Sequence, residues 1–321
     1  MSQVVSVIVP THNRRQALVP CIESILKQRF RGFELIIIDD GSADGSVEEV
    51  LQRWIDSVEN PDEAALFIHN PRERRQFCFC VNGVPVSYYY QRNRGFSTAC
   101  NRALRKARGS LVSVTDPDVV WAPERLARQV QYFHSHRGVY ISVSGHIPMR
   151  NQQPLKKPVL PGPGGWLFED IIRERALSYN TALIHRRCLE IIGGFDENLP
   201  QCENYDLWVR LTAHFPVHAL EQPLVQIPRR TPDAKTAWGT HRFRVYALEK
   251  AFQSGYLNAE YRRLVAEQVV FNCEKLVQGF KARDNMERAN FYERKRKKFA
   301  SEVRKLHATR PRVLEAAALR D

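Results

Sequence analysis

The sequence predicts an α/β protein with a mostly parallel sheet flanked by helices, and three apolar runs support this prediction. The first run, Val4–Val9, is rich in β-branched residues, is closed by Pro10 and precedes a helical pattern, as expected for a buried strand followed by a helix. The second, Leu35–Ile38, also precedes a helical pattern, and the third begins at Leu111. Alternating strands and helices favour a parallel sheet with functional loops at the carboxyl ends of the strands.

The elements between and after these strands are predicted from periodicity and turn residues. The helix after the second strand is expected to begin with a capping box at Ser46 and Glu49. Residues 77–81 and 84–90, separated by Asn82-Gly83, are expected to form a hairpin. The remaining elements predicted up to residue 192 are a helix at 98–107, a helix at 123–134, a strand at 139–143, a loop at 148–165, a helix at 166–175, a strand at 179–184 and a helix at 186–192.

The C-terminal third is predicted to be helical. Apolar residues recur at three- and four-residue spacing over 242–257 and 261–280, which is typical of amphipathic helices. A later helix is strongly basic, most densely in Arg294–Lys298. We therefore predict two domains, a sheet-containing domain over 1–228 and a basic helical extension over 229–321.

The composition is that of a soluble globular protein with an unusual surplus of positive charge. Of 321 residues, 43% are hydrophobic and the formal net charge is +13. Such a surplus suggests an anionic partner, which could be a nucleotide, a nucleic acid or a membrane surface. No apolar stretch approaches the length of a membrane span, the N-terminus lacks a signal-peptide pattern, and the seven cysteines are an odd number. We therefore expect reduced thiols and a cytoplasmic location.

The third apolar run ends in two carboxylates separated by a proline, Asp116-Pro117-Asp118. A buried strand that ends in this way delivers acids to the edge of a sheet, where ligands bind in open α/β folds. The two carboxylates could converge on one hard cation, or one could bind a metal while the other orients a sugar hydroxyl. An ordinary turn is the alternative, because Asp and Pro are common turn residues.

Six motifs follow one another along the first 225 residues. They are Val7–Asn13, Ile38–Ser42, Asn93–Gly95 with Asn101, Asp116–Asp118, Gly193–Glu197 and Glu203–Trp208. In order and spacing this series resembles family 2 glycosyltransferases. The resemblance implies a GT-A fold, here with a C-terminal helical extension, and a nucleotide-sugar donor, commonly a UDP-sugar. It also implies transfer with inversion and a divalent metal, Mn²⁺ or Mg²⁺.

The same resemblance implies roles for residues at the strand ends. Asp118 would bind the metal that bridges the diphosphate and offsets charge on the leaving group. Asp116 would hold the donor ribose or sugar, and an aspartate near the nucleobase can accept the imide N–H of uracil. The residues expected to bind the rest of the donor are Pro10, His12, Asp39, Asp40, Asn93 and Arg94.

The position of the general base departs from the family pattern. The family usually reads Glu-Asp-Tyr-Asp-Leu-Trp with the second acid as base, whereas this chain has Asn204 there. An amide cannot take a proton from an acceptor hydroxyl. Glu203 could act as the base instead, Asp206 could do so with a changed geometry, or the enzyme has lost most of its activity.

Other positions also differ from the family. Cys100 stands where an arginine is common, and its charge could be replaced by Arg92, Arg94 or Arg102. Val119 occupies the place of a third acid in many relatives. The stretch 229–233 resembles an acceptor-side loop but has no histidine. His241, the next histidine, is either a diphosphate or metal ligand or an ordinary histidine on a helix surface.

These features predict a hexosyltransferase-like glycosyltransferase of polysaccharide biosynthesis, which transfers a sugar from a nucleotide-sugar donor to a glycan or lipid-linked acceptor. One alternative is a degenerate, non-catalytic member that binds a nucleotide sugar or a partner. Another is a basic module that binds nucleic acid or a membrane surface. The basic C-terminal helix could make a peripheral membrane contact, whereas the sequence has no recognisable nucleic-acid motif.

Overall fold

The computed structural model falls into two compact units. It describes residues 5–54, 76–151, 153–155, 157–173, 177–229 and 238–308. The first unit comprises residues 1–167 and 175–231, and the second comprises 168–174 and 232–321. The helix at Phe168–Ile172 thus groups with the C-terminal helices, although it lies inside the predicted domain 1–228. The division of function between 1–228 and 229–321 stays a prediction.

The first unit holds the strands and six of the ten α-helices of the described residues. Its strands are β1 (Val5–Thr11), β2 (Phe33–Asp39), β3 (Gln76–Val81), β4 (Val84–Tyr90), β5 (Leu111–Val114), β6 (Val120–Trp121), β7 (Ile141–Arg150), β8 (Gln153–Pro154), β9 (Ala182–His185) and β10 (His218–Pro228). Its helices are α1 (Arg15–Leu26), α2 (Ser46–Trp54), α3 (Phe96–Lys106), α4 (Arg125–Ser135), α6 (Arg186–Ile192) and α7 (Glu203–His214), with a 3₁₀ turn at Tyr179–Thr181. Helix α5 (Phe168–Ile172) lies between α4 and α6 in the chain and belongs to the second unit.

One sheet runs through the first unit in the order β3-β4-β2-β1-β5-β9-β7-β10-β6, with β8 on β7. Strands β4, β2, β1 and β5 are parallel neighbours. The fold is therefore α/β with a mostly parallel central sheet, as predicted. Because β2 and β5 pair with opposite sides of β1, the strand order reverses there, and a crevice forms at such a reversal.

The central strands form around the apolar runs of the sequence. All seven residues of β1 and all seven of β2 are buried. A strand covered on both faces gains from apolar residues at every position, so it has no alternating pattern. Residues Leu18, Cys21 and Ile22 of α1 are fully buried and belong to the same core.

The predicted hairpin is confirmed at β3 and β4. Asn82 and Gly83 have φ values of +51° and +77°, as a two-residue turn between twisted antiparallel strands requires. Strand β3 alternates between exposed and buried residues. It therefore forms the outer edge of the sheet, with one face on the core.

Several local predictions were wrong; for example, the loop predicted at 148–165 contains the end of β7 and the whole of β8. The capping box at Ser46 and Glu49 does not form, because both the amide and the hydroxyl of Ser46 donate to Asp44, and Glu49 accepts from Arg15 Nε at 2.9 Å. The long strand β10 was not predicted. Its sequence is polar at its centre, and its pairing with β7 shifts register twice.

The second unit is helical within the described residues. With α5 it contains α8 (His241–Gln253), α9 (Ala259–Lys281) and α10 (Met286–Ala308). Phe168 of α5 stacks on Tyr261 at a centroid distance of 4.2 Å, and Phe252 meets Phe299 edge to face at 5.2 Å. Among the helices of the described ranges, none combines the length and apolar character needed to cross a bilayer.

Candidate active site

The candidate site lies at the carboxyl ends of β1, β2, β4 and β5. Asp39 ends β2, and Asp40 follows it; Asp116 lies two residues beyond β5. Parallel pairing brings these ends to one edge of the sheet. The tertiary structure thus brings together acids that are separated by more than 70 positions in the sequence.

Asp39 is completely buried and fully engaged by neighbouring groups. Tyr88 Oη donates to Asp39 Oδ2 at 2.6 Å, and the Ser42 amide donates to Oδ1 at 2.7 Å. Burial raises the pKa of Asp39, and these two hydrogen bonds oppose the rise without cancelling it. Tyr88 was not singled out from the sequence, where it is one of three consecutive tyrosines on β4.

Asp40 holds the loop that leads into α3. Its Oδ1 accepts from Gln91 Nε2 at 2.7 Å and from the Arg94 amide at 2.9 Å, and its Oδ2 accepts from the Gly95 amide at 2.7 Å. Gly95 has a φ of +90°, which a side chain would strain. Asp40 therefore fixes the backbone beside Arg94 rather than facing open solvent.

His12 and Asn93 meet across the same edge. Asn93 Nδ2 lies 3.1 Å from His12 Nε2, and both residues are exposed. A Cβ on Gly41 would lie 2.8 Å from the Asn93 amide nitrogen, so the glycine allows the two loops to approach. Pro10 is buried within β1 opposite Ile38, and its contribution is to the strand.

Asp116 is held by two residues that sequence reasoning missed. Tyr179 Oη donates to Asp116 Oδ1 at 2.7 Å, and Asn180 Nδ2 donates to Oδ2 at 3.2 Å. The Asp116 amide in turn donates to Asn180 Oδ1 at 2.7 Å. The stretch 179–184 was predicted to be a strand, but it begins with a 3₁₀ turn. An asparagine inside an apolar run was the one available signal.

Asp118 lines a cleft of about 870 Å³ together with residues from three other segments. Gln16 lies at the start of α1, while Arg150 and Arg229 lie at the adjacent ends of β7 and β10. Val119 is fully buried, so the place of a third acid is part of the core here. Among the described residues that line it, the cleft thus combines one carboxylate with two guanidinium groups.

Cys100 is fully buried, and the charges of three acids affect its thiol. Burial is the main cause that raises its thiol pKa, followed by the negative charges of Asp116, Glu203 and Asp40. Three acids from separate loops thus lie close enough to one buried thiol to affect it. No guanidinium occupies this position.

The three candidates for the general base lie at the start of α7 and differ in their burial and hydrogen-bond partners. Asp206 is 1% exposed and forms an ion pair with Arg210, which also donates to the Ile192 and Gly194 carbonyls. Asn204 Nδ2 donates to the Leu177 carbonyl at 2.7 Å, and its Oδ1 accepts from the Tyr179 amide at 3.1 Å.

Glu203 is the half-buried acid beside these two engaged residues. It lies at the first position of α7, close enough to Tyr179 and Cys100 to raise the pKa of both, after burial as the main cause. A carboxylate at a helix N-terminus is favoured by the helix dipole. Of the three candidates, Glu203 is the carboxylate that is partly exposed, and its charge and that of Asp116 act on the same two residues.

His241 begins α8 in the second unit, where its Nδ1 lies 2.6 Å from Asn272 Oδ1. The ring is therefore engaged between α8 and α9. Of the acceptor-side stretch 229–233, only Arg229 belongs to the described residues. Its amide donates to the Met149 carbonyl at 2.7 Å.

Known proteins resemble the chain in sequence. Glycosyl transferase family 2 matches residues 6–77 and 72–190. TuaG of Bacillus subtilis, provisionally named as a teichuronic acid biosynthesis glycosyltransferase, is 28% identical over 183 residues, which are 57% of this chain and 62% of TuaG. The amylovoran biosynthesis glycosyltransferase AmsE of Erwinia amylovora is 22% identical over 225 residues, or 70% of this chain and 73% of AmsE. The chain thus spans less than two thirds of TuaG.

Solved structures resemble it in fold. S. aureus TarS 1-349 in complex with UDP-GlcNAc has a TM-score of 0.57 at 14% identity and covers 92% of each chain. The mannosyltransferase PcManGT from Pyrobaculum calidifontis, in complex with GDP-Man and Mn²⁺, has a TM-score of 0.55 at 19% identity, with 96% of this chain and 85% of PcManGT covered. Since the family match extends over residues 6–190 of 321, the chain belongs to glycosyl transferase family 2 and has the GT-A fold that its motifs predicted.

Proposed function

We propose that this protein transfers a sugar from a nucleotide sugar, with UDP as the favoured nucleotide, to a glycan or lipid-linked acceptor with inversion. The observation that carries the proposal is that Asp40 and Asp116 lie at neighbouring strand ends, while Asn204, next to Glu203, holds the turn of Tyr179 that orients Asp116. Such a set offers donor binding and proton removal within one crevice. The complexes of TarS with UDP-GlcNAc and of PcManGT with GDP-Man are consistent with a nucleotide-sugar donor.

The donor would lie across the crevice from β2 towards Asp118. Asp39 and Asp40, with the loop of His12, Asn93 and Arg94, form the end proposed for the nucleobase and ribose. Asp116, oriented by Tyr179 and Asn180, is suited to accept from a sugar or ribose hydroxyl. A polymer as acceptor is consistent with the names of TuaG and AmsE.

The site fits a divalent metal that is bound jointly with the donor. Among the described residues, no group of three or more His, Cys, Asp or Glu side chains could hold a metal alone. Mg²⁺ and Mn²⁺ take hard oxygen ligands and are often held by one or two carboxylates plus substrate phosphates. Asp118 would supply the carboxylate, and the metal would offset charge on the leaving diphosphate. Arg150 and Arg229 add positive charge in the same cleft.

We assign proton removal to Glu203. Its carboxylate would take the proton of an acceptor hydroxyl while that oxygen forms a bond to the anomeric carbon. The bond to the nucleoside diphosphate breaks with its electron pair, and the diphosphate departs from the opposite face. Inversion follows from this single displacement. Asp206 is excluded from this assignment because its buried pair with Arg210 would have to be broken first.

Two substitutions on α7 test this assignment. We expect Glu203→Gln to abolish most transfer and to leave the melting temperature unchanged. We expect Asp206→Asn to lower the free energy of unfolding by about 3–5 kcal/mol, because it leaves the Arg210 guanidinium buried without its partner. Sugar release from a panel of nucleotide sugars would measure transfer. Thermal melting with and without UDP plus Mn²⁺ would measure stability and donor binding. Unchanged transfer by Glu203→Gln would remove this residue as the base.

A non-catalytic, donor-binding protein is the second candidate, and Asn204 is the observation that favours it. The nucleotide-sugar panel decides between the two. Binding of a UDP-sugar with neither hydrolysis nor transfer to any acceptor would support the non-catalytic alternative. A protein that binds no nucleoside diphosphate in the presence of Mn²⁺ would contradict both proposals.

A peripheral membrane contact is proposed for the helical unit. Phe291 of α10 and Phe271 of α9 are 49% and 40% exposed, and lysines lie over both rings, at 5.4 and 5.3 Å from the centroids. Exposed aromatic rings beside lysines suit an anionic lipid surface. We expect the protein to float with vesicles containing anionic lipid, and Phe271→Ser with Phe291→Ser to reduce this binding. Equal flotation of this variant and the wild type would contradict the contact.

A further inference from the structure

A second cleft, of about 610 Å³, opens beside α3 and has a strongly basic lining. Four of its lining residues are arginines, namely Arg92, Arg94, Arg102 and Arg105. The others, Tyr90, Gln91 and Thr98, carry no formal charge at neutral pH. No carboxylate is therefore among the described residues that line this cleft.

The arginines are presented by backbone that the fold holds firmly. The Arg94 amide is bound by Asp40 at 2.9 Å. Arg102 Nη1 donates to the Tyr90 carbonyl at 2.8 Å, and its guanidinium lies 5.6 Å from the centre of the Tyr89 ring. Arg105 lies one turn further along α3, on the same face as Arg102. Arg102 thus presents a guanidinium group held in place beside three further arginines, and guanidinium groups are suited to bind phosphate or carboxylate.

Two acids adjoin this cleft and balance only part of its charge. Asp40 is bound to Gln91 and to the Arg94 amide. Glu197 accepts from Asn101 Nδ2 and from Thr98 Oγ1, both at 2.9 Å. The pKa of Glu197 is lowered mainly by the hydrogen bond from Asn101, with smaller contributions from the charges of Arg105 and Arg94. Among the described residues, Asp40 and Glu197 thus adjoin a cleft with four guanidinium groups, and the positive charge that remains favours an added anion.

The basic cleft is separate from the cleft proposed for the diphosphate, but Arg94 belongs both to the basic cleft and to the loop proposed for the nucleobase and ribose. Asp118 lines the larger cleft with Arg150 and Arg229, and the two clefts share no lining residue. Glu197 lies only six positions before Glu203 in the chain, on the loop that leads into α7. An acceptor that reaches Glu203 could therefore extend over this loop to the basic cleft.

We propose that the cleft of Arg92, Arg94, Arg102 and Arg105 binds the anionic groups, phosphate or carboxylate, of a charged glycan acceptor. The proposal rests on the proposed function, since it names the class of acceptor. The cleft would bind a part of the acceptor that is distant from the reacting hydroxyl. The positive charge of this cleft then selects anionic acceptors over neutral ones.

Calorimetric titration of the full chain in metal-free buffer tests the proposal. The anionic probes are inorganic tripolyphosphate and an oligogalacturonate, and a neutral maltooligosaccharide is the control ligand. Arg105→Glu removes one exposed arginine of the cleft, and Arg137→Glu makes the same charge change at an exposed arginine after α4. We expect at least one anion to bind, Arg105→Glu to weaken it by about tenfold or more, and Arg137→Glu to leave binding within about twofold of wild type. A phosphate-bearing acceptor predicts tighter tripolyphosphate binding, and a carboxylate-bearing one predicts tighter oligogalacturonate binding.

UDP binding in the presence of Mn²⁺ is measured on the same variants. We expect Arg105→Glu to bind UDP as wild type does. If wild type binds neither anion, if both variants lose affinity equally, or if the maltooligosaccharide binds as tightly as the anions, the proposal is wrong. Equal loss of UDP and anion binding by Arg105→Glu would assign the cleft to the donor. Absence of UDP binding from every variant would instead contradict the proposed function, because anion binding is measured without UDP.

Discussion

At the residue scale, the orientation of Asp116 depends on a residue that does not touch it. Asn204 donates to the Leu177 carbonyl and accepts from the Tyr179 amide, and Tyr179 in turn donates to Asp116. An aspartate at position 204 could accept but could not donate. In this chain the asparagine therefore holds the turn that carries Tyr179, because its side-chain amide donates through Nδ2 and accepts through Oδ1.

This arrangement predicts that Asn204→Asp will not increase the transfer rate. The new carboxylate would face the Leu177 carbonyl, and leaving that acceptor unbonded costs about 1–3 kcal/mol. We expect donor affinity and transfer rate to fall by about tenfold or more, as measured by UDP titration and steady-state kinetics.

The control for this prediction is Asn258→Asp. Asn258 caps α9 and accepts from the Tyr261 amide, a role that an aspartate retains. We expect this variant to behave as wild type. A faster Asn204→Asp enzyme would show instead that position 204 is simply a vacated base position.

The buried Asp39 predicts a pH dependence of stability. Because burial raises its pKa in the folded protein, the ionised form costs stability above that pKa, and the cost disappears as the pH falls to the unfolded value. Asp39→Asn removes the charge, and the Tyr88 hydroxyl can accept from the new amide. In the absence of donor, we expect this variant to melt higher than wild type near neutral pH, with the difference vanishing towards pH 4.

Asp44 supplies a control of opposite sign. Burial tends to raise the pKa of Asp44, but hydrogen bonds from Ser46 and from the Arg15 amide lower it overall. Its ionised form therefore adds stability, which is lost as the pH falls through the lowered pKa. We expect Asp44→Asn to lower the melting temperature near neutral pH and to matter less in acid. If the two variants shift the melting temperature in the same direction, the assignment of cause is wrong.

At the scale of elements, α3 is joined to the segment before α7 through a close glycine contact. Asn101 Oδ1 accepts from the Phe195 amide, and its Nδ2 donates to the Phe195 carbonyl and to Glu197. Gly194 has a φ of +73°, and a Cβ there would lie 2.6 Å from Asn101 Oδ1. The family motif at Gly193–Glu197 is thus explained by the packing of this segment on α3.

We expect Gly194→Ala to destabilise the protein more than Gly193→Ala does. Both glycines are in the left-handed region, with φ values of +73° and +78°, so both substitutions incur about 1–2 kcal/mol of backbone strain. Only position 194 adds the clash with Asn101, because a Cβ on Gly193 meets nothing within 4 Å. Urea unfolding of the two variants measures the difference. Equal losses of unfolding free energy would mean that Asn101 moves away from the new Cβ without an energetic cost.

At the scale of the whole molecule, the position of α5 bears on where the chain can be divided. Phe168, Ile171 and Ile172 are each at most 1% exposed, and Phe168 stacks on Tyr261 of α9. A fragment of residues 1–228 keeps α5 but loses α9. The apolar side chains of α5 would then be exposed to water.

We therefore expect the fragment 1–228 to be less soluble than the full chain. Replacing Phe168 and Ile172 by serine in the fragment should restore part of the solubility, because the exposed apolar area falls. Size-exclusion chromatography and light scattering measure the effect. A monomeric, soluble 1–228 fragment without these substitutions would contradict the prediction and support a domain boundary after residue 228.

Local pattern alone determined the fold class, the central strands and the family of this protein. Continuous apolar runs produce doubly covered strands wherever they occur, and Asn82-Gly83 fixes its turn through the positive φ values that these two residues tolerate. The motifs with Asp39, Asp40, Asp116 and Asp118 could likewise be found from the sequence, because each acid lies at the end of a strand or within four residues after it. The expected cytoplasmic location and the roles of the individual site residues stay predictions.

Only the tertiary structure decided how these residues are used. It engaged Asn204 with a turn 25 positions away and paired Asp206 with Arg210. It also placed Tyr179 on Asp116 and gathered Arg92, Arg94, Arg102 and Arg105 into one cleft. The physical reason is that a hydrogen bond, an ion pair or a shared cleft depends on the distance between atoms in space. For residues far apart in the chain, that distance is set by sheet order and by the packing of helices, which local periodicity does not encode.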